Sequence, residues 1–103
     1  MISVRYRLQN GQHRLHITGH AGYAPAGSDI VCAGVSALAC ALTGFLRGTE
    51  GGRVLRRTSG ELLLTCPAGD RTDAAVELAL TGFRQIAGTY PRYAEVDIST
   101  NTP

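Results

Sequence analysis

The sequence has no lysine: all ten of its basic residues are arginine. Exclusive use of arginine is more simply a mark of genome composition than of function. A formal net charge of +2 permits an RNA or ribosomal setting without requiring one. Cysteine is also sparse. Three cysteines, an odd number without paired spacing, argue against a secreted disulfide framework. They include no Cys-x-x-Cys pair, so a structural zinc site is not expected. No apolar run looks long enough to span a membrane, and the opening MISVRYRLQN lacks the apolar stretch of a signal peptide. The expectation is a cytoplasmic protein. Repeats, linkers and low-complexity segments are missing too, so residues 1–103 read as one domain. A hydrophobic content of 44% is enough for a packed core.

What is present falls into clear periods. Ile2, Val4, Tyr6 and Leu8 alternate with Ser3, Arg5, Arg7 and Gln9, the pattern of a half-buried strand. Asn10-Gly11 then gives a type I′ hairpin turn. That turn sets Leu8 opposite His13, Tyr6 opposite Leu15 and Val4 opposite Ile17 on an apolar face. It sets Arg7 opposite Arg14 and Arg5 opposite His16 on a basic one. After a loop, Val31, Val35, Leu38, Leu42 and Phe45 form a helical stripe that Gly48 and Gly51-Gly52 should end. Arg53–Arg57 and Glu61–Cys66 flank Thr58-Ser59-Gly60 as a second hairpin. Val76, Leu80, Phe83, Ala87 and Tyr90 mark a second helix, stopped by Gly88 and Pro91, and Tyr93–Ile98 alternates as a last strand. The final STNTP is expected to fray. The order ββαββαβ specifies an α+β domain, a mainly antiparallel five-stranded sheet with two helices on one face. The uncovered sheet face could be shared in a homodimer.

The chemistry concentrates between Thr18 and Ser36. His20 ends the second strand, and Cys32 falls in the first turn of the first helix. Unpaired N–H groups at a helix start and the helix dipole favour a thiolate there, and an imidazole nearby would complete a nucleophile–base pair. A free cysteine is often only a small buried hydrophobe, the reading that suits Cys40 and Cys66. Strand parity is a constraint, since it puts His20 on the polar face with His16 and Thr18. His20 can reach Cys32 only if the chain bends at Gly19. Asp29 can cap the helix, hold the loop or orient His20, and Ser36 lies one turn beyond Cys32. The loop Ala21–Ser28 has Tyr23 as its only large side chain, so it is expected to be mobile without substrate and to order over one.

The segment GHAGYAPAGSDIVCAGVS resembles the signature of the ribosomal-processing cysteine proteases, the Prp family. The resemblance rests on His20, Ala21, Gly22, Tyr23, Ala24, Gly27, Asp29, Ile30, Val31, Cys32, Ala33, Val35 and Ser36, with Gly34 departing from the alanine more usual there. It implies a cysteine endopeptidase that removes a short N-terminal extension from a bacterial large-subunit ribosomal protein. It implies His20 and Cys32 as the catalytic pair and Asp29 and Ser36 in support. Gly22, Tyr23, Gly27 and Ser28 would belong to the substrate loop. It further implies a cytoplasmic homodimer; the residues themselves call for no metal and no membrane, and the dyad chemistry for no cofactor and no required nucleic acid. Backbone N–H groups at the helix start, near Cys32, would form the oxyanion hole. The alternative is a non-enzymatic ribosome- or RNA-binding module using Arg5, Arg7, Arg14 and His16. A redox sensor built on Cys32 is a third reading, weakened by the lack of an evident resolving thiol.

Overall fold

The computed structural model describes residues 1–101, with the side chains of the first 99. Strands β1 (Ile2–Gln9) and β2 (Gln12–Thr18) form the first hairpin, with Asn10 and Gly11 both at positive φ, 54° and 72°. The turn fixes the expected register pair for pair, from Leu8 opposite His13 to Val4 opposite Ile17. Helix α1 (Ile30–Arg47), strands β3 (Arg53–Thr58) and β4 (Glu61–Pro67), helix α2 (Asp70–Thr89) and strand β5 (Ala94–Asn101) complete the ββαββαβ order.

The sheet runs β3-β4-β2-β1-β5, antiparallel throughout except for the parallel pair β1–β5. Helix α2 is the cause of that exception. It carries the chain from β4 back past β2 and β1, so β5 enters in the direction of β4 and joins the far side of β1. Both helices cover the face that carries Val4, Leu15 and Leu64. Val31, Val35, Leu42 and Leu46 of α1 and Val76 and Phe83 of α2 close the core from above. Full burial of such side chains contributes about 1.5–3 kcal/mol each.

Four expectations need correction. Leu38 and Phe45 are half-buried, and Ala39 and Leu46 take the deepest positions of α1 in their place. The helix is rotated because its flank packs on α2, with Leu38 against Gly82. Helix α2 runs through Gly88 to Thr89, because backbone hydrogen bonds continue to Tyr90 N–H, which donates to the Ile86 carbonyl at 2.8 Å. The segment Ser99–Asn101 belongs to β5, held by the ladder with Arg7, Leu8 and Gln9 of β1. Thr102 and Pro103 lie outside the described residues. Finally, α1 has the length and apolarity of a membrane-spanning helix, with Arg47 its only charged residue. Its apolarity has another source: one side is core, and the other is small, with Ala33, Ala37, Ala41 and Gly44 exposed.

Candidate active site

The parity constraint on His20 is resolved at Gly19. Strand β2 ends at Thr18, and Gly19 turns out of the sheet at φ 89°, its N–H donating to the Gly60 carbonyl at 2.8 Å. A β-carbon at Gly19 would collide with the Met1 carbonyl oxygen, so this bend demands glycine in both torsion and space. The bend buries Ala21 in the core and leaves His20 at the surface beside the β3–β4 turn. The imidazole lies against Gly60, close enough that a β-carbon there would come within 2.9 Å of Nε2.

Cys32 is the third residue of α1, and Asp29 is the N-cap. Asp29 Oδ1 accepts from Cys32 N–H at 3.0 Å, and its Oδ2 accepts from Tyr23 N–H at 3.0 Å. These backbone bonds, that from Cys32 foremost, hold the Asp29 carboxyl below its usual value. Asp29 thus fastens the loop to the helix start and makes no hydrogen bond to His20 among the described residues. The bond also occupies one expected oxyanion donor, Cys32 N–H. Ala33 N–H is likewise taken, by the Asp29 carbonyl at 3.0 Å. The amide that addresses the sulfur comes from the loop: Ala21 N–H points at Cys32 Sγ at 3.4 Å.

His20 and Cys32 together line two adjoining clefts. One, of about 640 Å³, is walled by the loop through Gly22, Ala24, Gly27 and Ser28. The other, of about 330 Å³, has an apolar floor of Ile2, Ile17, Val35 and Leu62. Ser36 lines both. No hydrogen bond joins the imidazole to the thiol among the described residues. Tyr23 faces away from both clefts. Its ring packs edge-on against Tyr90 and Tyr93, with centroids 5.5 and 5.1 Å apart, and anchors the loop on the end of α2. The loop therefore has more holding it than its composition indicates: buried Ala21, the Tyr23 stack and the Asp29 bonds, with an exposed tip at residues 25–28.

The sequence reading missed Ser59, Gly60 and Glu61, which complete the cleft walls from the β3–β4 turn. Only the β2–β4 pairing brings them beside His20, and no local pattern announces that pairing. The other histidines are engaged elsewhere. His13 is buried between the Tyr6 hydroxyl at 2.5 Å and Asp73 at 2.6 Å, and His16 meets Glu61 at 2.7 Å. Cys66 is buried with its thiol pushed up, mainly by desolvation. Cys40 is exposed on α1 with the Arg57 guanidinium 3.9 Å from its sulfur. Among the described residues, no group of three His, Cys, Asp or Glu side chains could hold a metal ion.

The family model of cysteine protease Prp matches residues 1–95. Among solved structures, the essential ribosomal processing protease Prp of Staphylococcus aureus, in complex with a covalently linked product peptide, superposes with a TM-score of 0.81. The two are 21% identical over 96% of this chain and 100% of that one. The same protease with a substrate peptide gives a TM-score of 0.72 at 20% identity, over 96% and 100% of the two chains. SMU.848 from Streptococcus mutans gives 0.75 at 25% identity, over 98% and 96%. No curated protein matches the chain.

Proposed function

This chain belongs to the cysteine protease Prp family and is a cysteine peptidase, and we propose that Cys32 is its nucleophile, with His20 as general base and acid. The observation that carries the assignment is the shared cleft. Cys32 sits in the first turn of a capped helix with an amide aimed at its sulfur, and His20 lines the same two cavities. Cys40 lines no cleft with a histidine among the described residues, and Cys66, though paired across the sheet with His13, is fully buried with its thiol pushed up and its imidazole neighbour engaged by Tyr6 and Asp73.

In the proposed reaction His20 takes the Cys32 proton, and Sγ attacks the scissile carbonyl carbon. The tetrahedral intermediate collapses to a thioester as the C–N bond breaks, and His20 gives its proton to the departing amine. Water, deprotonated by His20, then hydrolyses the thioester and restores the thiol. Ala21 N–H stabilises negative charge on the sulfur. The N–H groups of Ile30 and Val31, which have no acceptor among the described residues, are the helix-start donors left for the oxyanion. Asp29 is a positioning residue: it sets Cys32 and the loop in one geometry. Ser36 contributes a hydroxyl to the cleft wall. Gly22, Gly27 and Ser28 guide an extended peptide, and the apolar floor of the smaller cleft takes an apolar side chain beside the scissile bond.

The substrate proposed is the N-terminal extension of a bacterial large-subunit ribosomal protein, cleaved in the cytoplasm by a homodimer. Support for the substrate comes from the likeness to a protease described as ribosomal processing. The test is incubation with the extended ribosomal protein from the same genome, followed by mass spectrometry. A single shortened product, missing when Cys32→Ala is used, is expected. An intact substrate in the presence of active enzyme would count against this substrate.

A further inference from the structure

Strand register arranges the outer sheet face, opposite the helices, in four rows, of which the one at the Asn10-Gly11 turn, Gln9–Gln12–Pro67, is uncharged and the other three carry the charge. The first is Arg53–Thr65–Arg14–Arg7–Ser99, with three arginines and no acid. The second is Arg56–Leu63–His16–Arg5–Asp97, with two arginines and one carboxylate. The third is Thr58–Glu61–Thr18–Ser3–Glu95, with two carboxylates and no base. Among the three charged rows, positive charge therefore grows along the strands away from the His20 end.

The acids at the His20 end are already engaged. Glu61 meets His16 at 2.7 Å and Arg56 at 3.3 Å, and Glu95 accepts from Ser3 Oγ at 2.6 Å. Arg5, Arg7 and Arg14 are exposed and enter no ion pair among the described residues. They line a groove of about 340 Å³ with Gln9, His16 and Asp97. Arg7 and Arg14 stand directly opposite each other, a like-charge pairing that costs stability and that a bound anion would relieve.

The composition of the face narrows the partner. Its one apolar side chain in the charged rows is Leu63, and Tyr6, which borders the groove, is 7% exposed with its hydroxyl turned to His13 on the inner face, so the surface lacks the apolar, aromatic centre of a protein interface. It likewise has no stacking platform for bases. What it offers is a row of guanidinium groups reaching across about 14 Å of sheet, at about 4.8 Å per strand. That pattern suits successive phosphates, which arginine binds bidentately.

We propose that the outer sheet face docks on the phosphate backbone of RNA without reading bases. The choice of RNA rests on the proposed ribosomal substrate, whose surroundings are RNA. Docking would hold the protease near that substrate while the cleft, at the opposite end of the strands, takes the peptide.

The experiment is fluorescence anisotropy of the full chain with a labelled 20-nucleotide RNA and with DNA of the same sequence, from 50 to 200 mM salt. Binding should weaken steeply with salt. Arg7→Gln/Arg14→Gln should weaken it about tenfold or more at low salt and lower the log–log salt slope by roughly 1.4 for a single strand. Arg47→Gln/Arg84→Gln removes the same charge from the helices and should leave binding nearly unchanged. No binding at 50 mM salt, equal losses in both double variants, tighter binding to DNA than to RNA, or equal competition by polyglutamate would each overturn the proposal. Cleavage of an isolated extension peptide is measured in parallel and should be unaffected by Arg7→Gln/Arg14→Gln. Loss of cleavage with RNA binding intact would instead strike the substrate assignment and leave the phosphate surface standing.

Discussion

Gly60→Ala separates catalytic geometry from stability at one position. Gly60 has φ 106°, where an L-residue is strained, and an added β-carbon would lie 2.9 Å from His20 Nε2, 3.4 Å from its Cε1 and 3.6 Å from its Cδ2. The backbone strain should cost about 1–3 kcal/mol, or roughly 4 °C of melting temperature at the least for a domain of this size. The imidazole must also move away by several tenths of an ångström, and misplacement by about 1 Å can lower a rate roughly a hundredfold. Gly11→Ala is the matched control. Gly11 also has positive φ, 72°, but no atom lies within 4 Å of the added carbon and the site is at the far end of the hairpin. Melting curves and steady-state peptide cleavage, measured well below both melting temperatures, give the comparison. Both variants should melt lower, and only Gly60→Ala should lose kcat, by about 10- to 100-fold. Wild-type kcat in Gly60→Ala, or an equal loss in Gly11→Ala, would refute the role given to His20 and its setting.

Other outcomes follow from the same geometry. Iodoacetamide labelling of the folded protein should modify Cys32 first, Cys40 more slowly and Cys66 last, because burial raises the Cys66 thiol pKa; equal labelling by mass spectrometry would remove the special standing of Cys32. Gly19→Ala should lower the melting temperature more than Gly11→Ala and abolish cleavage, since the bend that delivers His20 collides with Met1; a melting temperature no lower than that of Gly11→Ala would contradict this. Asp73 is held below its usual 3.8 by His13 first and Gly69 N–H next, and Glu61 below its usual 4.5 chiefly by His16. Depressed carboxyl values make their contribution complete above the unfolded values and lost as pH falls through the folded ones. Stability should therefore drop below about pH 4.5, and Asp73→Asn/Glu61→Gln should flatten that acid limb; an unchanged limb in chemical denaturation would contradict it.

Local signals were legible where they stand alone. Asn10-Gly11 dictates its turn, and with it the register that puts Arg7 opposite Arg14. Asp29 three residues before Cys32 is a readable cap, but its second bond, to Tyr23 N–H, depends on a loop path no local rule gives. Tyr23 was the least readable residue. Its partners Tyr90 and Tyr93 are distant in sequence and arrive only because α2 returns the chain to β1. The same return creates the parallel β1–β5 pair and draws Ser99–Asn101, the first part of the expected frayed tail, into strand. Gly19 was recognised as the needed bend, whereas the β3–β4 turn that receives His20 there was not.

The central claim, that Cys32 is the nucleophile and His20 its proton carrier, is tested most directly by trapping the thioester. Enzyme mixed with an extension peptide is quenched in acid within the first turnovers and its intact and fragment masses are measured. An acyl adduct mapped to Cys32 is expected, absent in Cys32→Ala and strongly reduced in His20→Ala, with the Cys32→Ala/His20→Ala protein no less active than either single variant. An adduct on another residue, or cleavage by Cys32→Ala at the wild-type rate, would contradict it.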